Sequence, residues 1–219
     1  MMLEAKIPDY RRLLVHTLWA LALGAAAVAI CYQWIDRPVA FAVERHGLNK
    51  IVLFQLLTDP PPLIERFCPL ALALLALRRV WSPWPRWELT LFTACLSLIV
   101  ADECRESIGD LCGRYWPETW FNDNPSLLGT GAYGFHPFQG GDDVGSFPSG
   151  HAARVLGFAT VWWIVVPRCR RICLLVCPPL VLSLVAMNYH FVGDVVGGSV
   201  IGAIVGSWGA TLAGLRNRQ

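Results

Sequence analysis

Residues 13–35, LLVHTLWALALGAAAVAICYQWI, run without one formal charge. A helix needs about 20 mostly apolar residues to cross a hydrocarbon core roughly 30 Å thick. This stretch is long enough. It is too long for the apolar heart of a signal peptide and carries no clear small-residue cleavage site, so it reads as a retained anchor. Further candidate spans follow at about 61–77, 87–104, 151–166, 172–187 and 195–215. Six spans of about 20 residues use over half of the 219-residue chain. The expected fold is therefore all-α: one polytopic membrane domain, 1–219, of six transmembrane helices.

Composition agrees. Hydrophobic residues make up 55% of the chain and charged residues 16%, where a soluble domain carries about a quarter charged. The same numbers exclude disorder, which needs low hydrophobicity and high charge. A net charge of +2 without a basic stripe excludes a nucleic-acid surface. Lys6, Arg11 and Arg12 precede the first span, and Arg78, Arg79 and Arg86 separate the second and third. Arg168, Arg170 and Arg171 separate the fourth and fifth, and Arg216 and Arg218 close the chain. Basic short loops stay cytoplasmic, which places both termini inside. The outer side then receives 36–60, 102–149 and 188–194.

Val39 to Leu57 mixes charged and apolar residues at helical spacing and predicts an interfacial helix on the outer face. Gly198, Gly202, Gly206, Ala210 and Gly214 put a small residue at every fourth position of the last span, a stripe suited to close helix packing. The eight cysteines show no metal-ligand spacing, and a Cys104–Cys112 bridge is disfavoured by the separation on a helix. The glycine-rich loop 119–144 reads as an interfacial cover, with His136 outside the chemistry.

Polar residues collect on the outer side in three places. Gly113 to Trp120 follows the third span. Ser146-Phe147-Pro148-Ser149-Gly150-His151 opens the fourth, and Tyr189 to Asp194 opens the sixth. A tight turn into a helix leaves its first N–H groups unpaired, a ready site for a phosphate-like anion. His151 stands beside that turn, suited to protonating a leaving oxygen. His190 and Asp194, spaced i, i+4, would stack imidazole on carboxylate, freeing one ring nitrogen for attack. With Arg114, these are the parts of phosphoryl transfer through a phosphohistidine.

Arg114 with Trp116-Pro117, Pro148-Ser149-Gly150-His151 and His190-x-x-x-Asp194 resemble the three signature motifs of the type 2 phosphatidic acid phosphatase family. The resemblance implies His190 as nucleophile, Asp194 as its orienting partner and His151 as general acid, then base. It implies Arg114, Ser149 and Gly150 as holders of the phosphoryl oxygens, with no metal or other cofactor. Two motifs depart from the family pattern. Gly109 stands where the family has lysine and Trp116 where it has arginine, while Leu184 follows Ser183 in place of another arginine. A phosphate carrying nearly two charges still needs compensation. Arg105, one turn before Gly109, and Arg154, three residues after His151, are the expected substitutes.

The implied activity is hydrolysis of a lipid phosphate or lipid diphosphate at the outer face of a bacterial cytoplasmic membrane. A lipid phosphotransferase using the same intermediate and a noncatalytic lipid-phosphate-binding scaffold are the alternatives.

Overall fold

The computed structural model describes residues 9–58, 60–120, 123–139 and 141–215. The expected basic flanks Lys6, Arg216 and Arg218 lie outside them. The described residues form helices and three isolated bridges, without a strand. Tyr10–Ile30 (α1) passes through a π-helical turn, Cys31–Ile35, into Asp36–His46 (α2). Val52–Thr58 (α3), Pro60–Trp81 (α4) and Arg86–Cys112 (α5) follow. After the single turn Leu127–Thr130 (α6) come Gly150–Val165 (α7), Cys169–Ala186 (α8) and Val192–Leu212 (α9).

Each expected span falls on a helix. Three helical stretches, Tyr10–His46, Cys169–Ala186 and Val192–Leu212, are long and apolar enough to cross a membrane. Leu18, Trp19 and Leu23 on α1, Phe67, Leu74 and Leu77 on α4, and Leu174 and Leu175 on α8 project outward from the bundle. A soluble protein would not leave so broad an apolar surface uncovered.

Two expected boundaries change. The first helix does not stop at Ile35, because the π turn carries the chain on to His46. Such insertions recur at functional sites, and this one buries Asp36 inside the fold. The interfacial helix expected over Val39–Leu57 is two helices. Gly47, at φ 63°, adopts the left-handed conformation that ends α2, and α3 starts after a short 3₁₀ turn.

The centre of the bundle is α5, α7 and α9. A Cβ on Gly202 would collide with the backbone of Ala153 and Gly157 on α7. One on Gly206 would approach Gly157 O to 2.7 Å. Gly157 in turn faces Ser97 O on α5, where a Cβ would lie at 2.9 Å. The glycine stripe read from the sequence as a packing face is the α7–α9 contact. Helix α1 joins its outer side, with Gly24 against Val200 and Trp208 Nε1 donating to Thr17 Oγ1 at 2.9 Å.

This packing brings the start of α7, the start of α9 and the C-terminal end of α5 to one end of the bundle. The register of that end depends on backbone contact that tolerates no side chain. Gly202→Leu should therefore lower the thermal midpoint of the detergent-solubilised protein, by about 1–3 kcal/mol or more of stability. Leu175→Ala, on the outward face of α8, should leave it nearly unchanged. Equal midpoints for the two variants would contradict the packing role.

Candidate active site

His190 precedes α9 rather than lying on it. Phe191 is the N-cap, and Asp194, in the first turn, accepts the Phe191 N–H on Oδ2 at 2.8 Å. The expected helical stacking of His190 on Asp194 is accordingly loose, with Nδ1 to Oδ2 at 3.8 Å. The close partner of His190 Nδ1 is the Ser146 carbonyl at 2.9 Å. A carbonyl only accepts, so Nδ1 carries the proton and Nε2 keeps its lone pair. Ser146 is held by its own hydroxyl, which donates to Asp194 Oδ2 at 2.6 Å. Asp194 thus orients His190 at one remove, through Ser146.

Arg114 lies behind Asp194. Its side chain is fully buried, with Nη1 on Asp194 Oδ1 at 2.5 Å and Nη2 on Asp36 Oδ2 at 2.6 Å. Asp36 Oδ1 also accepts the Gly193 N–H at 2.9 Å. The guanidinium is enclosed by the rings of Phe191 and Phe135, 4.4 and 4.8 Å from its centre. Burial acts to lower the Arg114 pKa, and the Asp194 and Asp36 carboxylates outweigh it, raising it above the usual range. This differs from the sequence expectation. Arg114 is enclosed by carboxylates and aromatic rings and is not part of the wall that faces the histidines.

That wall surrounds a cavity of about 340 Å³ lined by His190, His151, Arg105, Arg154, Gly150 and the aromatic side chains of Trp116, Trp120 and Tyr189, with Gly145. The two imidazole rings face each other with centroids 6.3 Å apart. Trp116, in place of a family arginine, packs at 5.4 Å from the His190 ring. Ser149 caps α7, its hydroxyl accepting from Ala152 N at 3.3 Å while its N–H donates to the Asp194 carbonyl at 3.0 Å. Ser149 is fully buried and sets the direction of the helix rather than lining the cavity. The first N–H groups of α7, those of Gly150 and His151, point out of the helix end without an intrahelical acceptor.

Gly150 lets both substitute arginines lie against the backbone. A Cβ there would stand 2.9 Å from Arg105 Nε and 3.3 Å from Arg154 Nη2. Both cations already have partners. Arg105 Nε donates to Asp102 Oδ1 at 2.9 Å. Arg154 pairs with Glu65 and sits 3.7 Å from Asp102 Oδ2. Gly109 has little room for the family lysine, since its Cβ would already press on Phe147 O at 3.2 Å.

Within 123–139, Ser126 and Phe135 form isolated backbone bridges to Trp116 and Arg114, and Arg114 also bridges Gly145. The eight cysteines are unpaired, and no group of three metal-ligating side chains occurs among the described residues.

Removing one member of a buried ion pair leaves an uncompensated charge, at a typical cost of 3–5 kcal/mol. Arg114→Met should therefore lose about that much stability in denaturant unfolding. Asp36→Asn should cost less in the Arg114→Met background than alone, because the two share one interaction. An Arg114→Met protein of unchanged stability that binds inorganic phosphate more weakly would restore the phosphate-holding role.

The family model described as PAP2 superfamily matches residues 90–218. No curated protein and no solved structure matches the chain. The matched stretch contains Arg105, Arg114, Ser149, Gly150, His151, Arg154, His190 and Asp194, and leaves out Asp36 and Glu65. It spans more than half of the chain, from α5 to the end of α9, and the chain belongs to the PAP2 superfamily.

Proposed function

We propose that this protein is an integral-membrane phosphatase that hydrolyses a lipid phosphate or lipid diphosphate through a phosphohistidine on His190. The observation that carries the reading is the pair of facing histidines across a cavity walled by two arginines, with His190 Nδ1 committed to the Ser146 carbonyl. PAP2 membership supports a phosphatase of the membrane lipid type.

In the first step His190 Nε2 attacks phosphorus, and the bond to the lipid oxygen breaks. His151 gives its proton to that oxygen, and the lipid alcohol or lipid monophosphate leaves. In the second step a water attacks the phosphohistidine, His151 takes the water's proton, and inorganic phosphate is released. Arg105, Arg154 and the free N–H groups at the start of α7 face the phosphoryl oxygens, where charge builds in both steps.

Six passes fit this reading. The basic connections Arg78 to Arg86 and Arg168 to Arg171 lie at the opposite ends of α5 and α7 from the site. With those connections cytoplasmic, the cavity opens at the outer face of a bacterial cytoplasmic membrane, where a lipid headgroup meets His190 without leaving the bilayer.

His190→Ala should abolish phosphate release from a panel of phosphatidate, phosphatidylglycerol phosphate and polyprenyl diphosphate, together with the acid-labile radiolabel on the protein. His151→Ala should lower kcat by about 10²–10⁴-fold. Label recovered in a second lipid instead of in free phosphate would make the protein a transferase. Release that survives in His190→Ala would end the phosphohistidine reading.

Charge at the site yields a second test. Substrate must take Arg154 from Glu65, so Glu65→Gln should strengthen inhibition by inorganic phosphate or vanadate several-fold. Arg154→Ala should weaken it. Inhibition constants unchanged in both variants would remove Arg154 from phosphate binding.

A further inference from the structure

Three apolar cavities open on the helical body among the described residues. One lies between α1, α7, α8 and α9, and another surrounds Trp84 and Trp208 between α5 and α9. Neither shares a residue with the cavity of His151 and His190. The third, of about 400 Å³, does, because Arg154 belongs to both walls.

This third cavity is a groove between α7 and α8, floored by Leu98 of α5 and edged by Ile64 of α4. Val155, Phe158 and Trp162 enter it from α7 at the first, fourth and eighth positions after Arg154. Eight residues of helix carry the groove about 12 Å from the arginine. Helix α8 faces it with one stripe, which includes Cys169, Cys173 and Cys177. That cysteine line at i, i+4, i+8, idle in the chemistry, thereby has a place as a small, weakly polar wall. Arg154 is the one charged side chain in the lining, and it stands at the end that meets the phosphoryl cavity. Charge at one end and hydrocarbon along the rest match an amphiphile with an anionic head.

We propose that the α7–α8 groove binds the hydrocarbon chain of the lipid phosphate, with Arg154 marking where the chain joins the phosphoryl group. The inference rests on the phosphatase reading above and adds the location of the chain. One helix face in width, the groove takes a single chain. Glu65, beside Ile64 at the groove edge, holds Arg154 at the junction that the substrate must enter.

The test uses the full chain in neutral phosphatidylcholine nanodiscs. Val176 lines the groove yet is half-exposed, so Val176→Trp fills it without touching the α7–α9 contact. With hexadecyl phosphate as substrate, Val176→Trp should raise KM about tenfold, the effect of losing one or two buried methylenes. With butyl phosphate, kcat/KM should stay at the wild-type value. Leu175→Trp, on the outward side of the same helix, should change neither. Equal effects of Val176→Trp on both substrates, or of both variants on hexadecyl phosphate, would overturn the proposal.

A hexadecyl phosphonate with a photoreactive diazirine on its chain, which no phosphatase cleaves, provides a readout independent of turnover. Its adducts should map to residues 155–162 and 172–180. Adducts confined to 13–20 or 204–213 would place the chain elsewhere and overturn the proposal. Failure of the wild-type protein to cleave either phosphate would sink the phosphatase reading, and the photolabelling would still decide the groove.

Discussion

Arg114, held between Asp36 and Asp194 with no exposed side-chain surface, is the interaction on which the site end of the bundle depends. It ties the start of α2, just after the π turn, to the first turn of α9, two segments far apart in the chain. Desolvating a guanidinium is expensive unless carboxylates meet it closely, and here two do. Through Asp194 the same network reaches Ser146, and through Ser146 the Nδ1 atom of His190. An arginine that resembles a ligand for phosphate in the sequence thus serves as a brace. Four aromatic rings lie within 5.6 Å of its guanidinium carbon.

Behind the brace, the helix contacts set how near the two histidines stand. Gly198, Gly202 and Gly206 allow α9 to lie directly on the α7 backbone, and the Ser149 N–H donates to the Asp194 carbonyl where the two helices begin. His151 and His190 each sit at the start of one of these helices. Backbone contact fixes the positions of the two helix starts, and the Ser146 carbonyl orients the His190 ring between them.

Electrostatic compensation at the cavity is unusually internal. Arg105 and Arg154 line the cavity and are already paired, Arg105 with Asp102 and Arg154 with Glu65. Such an arrangement keeps two arginines ordered in a partly apolar setting, where a lone buried charge would be costly.

Much of this was legible in the chain. Helical spans, the glycine packing stripe and the three clusters of polar residues all follow from local composition and spacing, which report on one helix at a time. Asp36 carried no such signal. A lone aspartate after an apolar run looks like the end of a span, and only the π turn and the fold behind it bring that carboxylate to Arg114. The partner of Arg154 was equally hidden, since Glu65 lies 89 positions away on α4. The sequence by itself determined which segments are helical and which family the motifs point to, because hydropathy and motifs are local. Only the tertiary structure decided that Arg114 is buried away from the histidines, because its two carboxylate partners, Asp36 and Asp194, are distant in sequence and packing brings them within 3 Å.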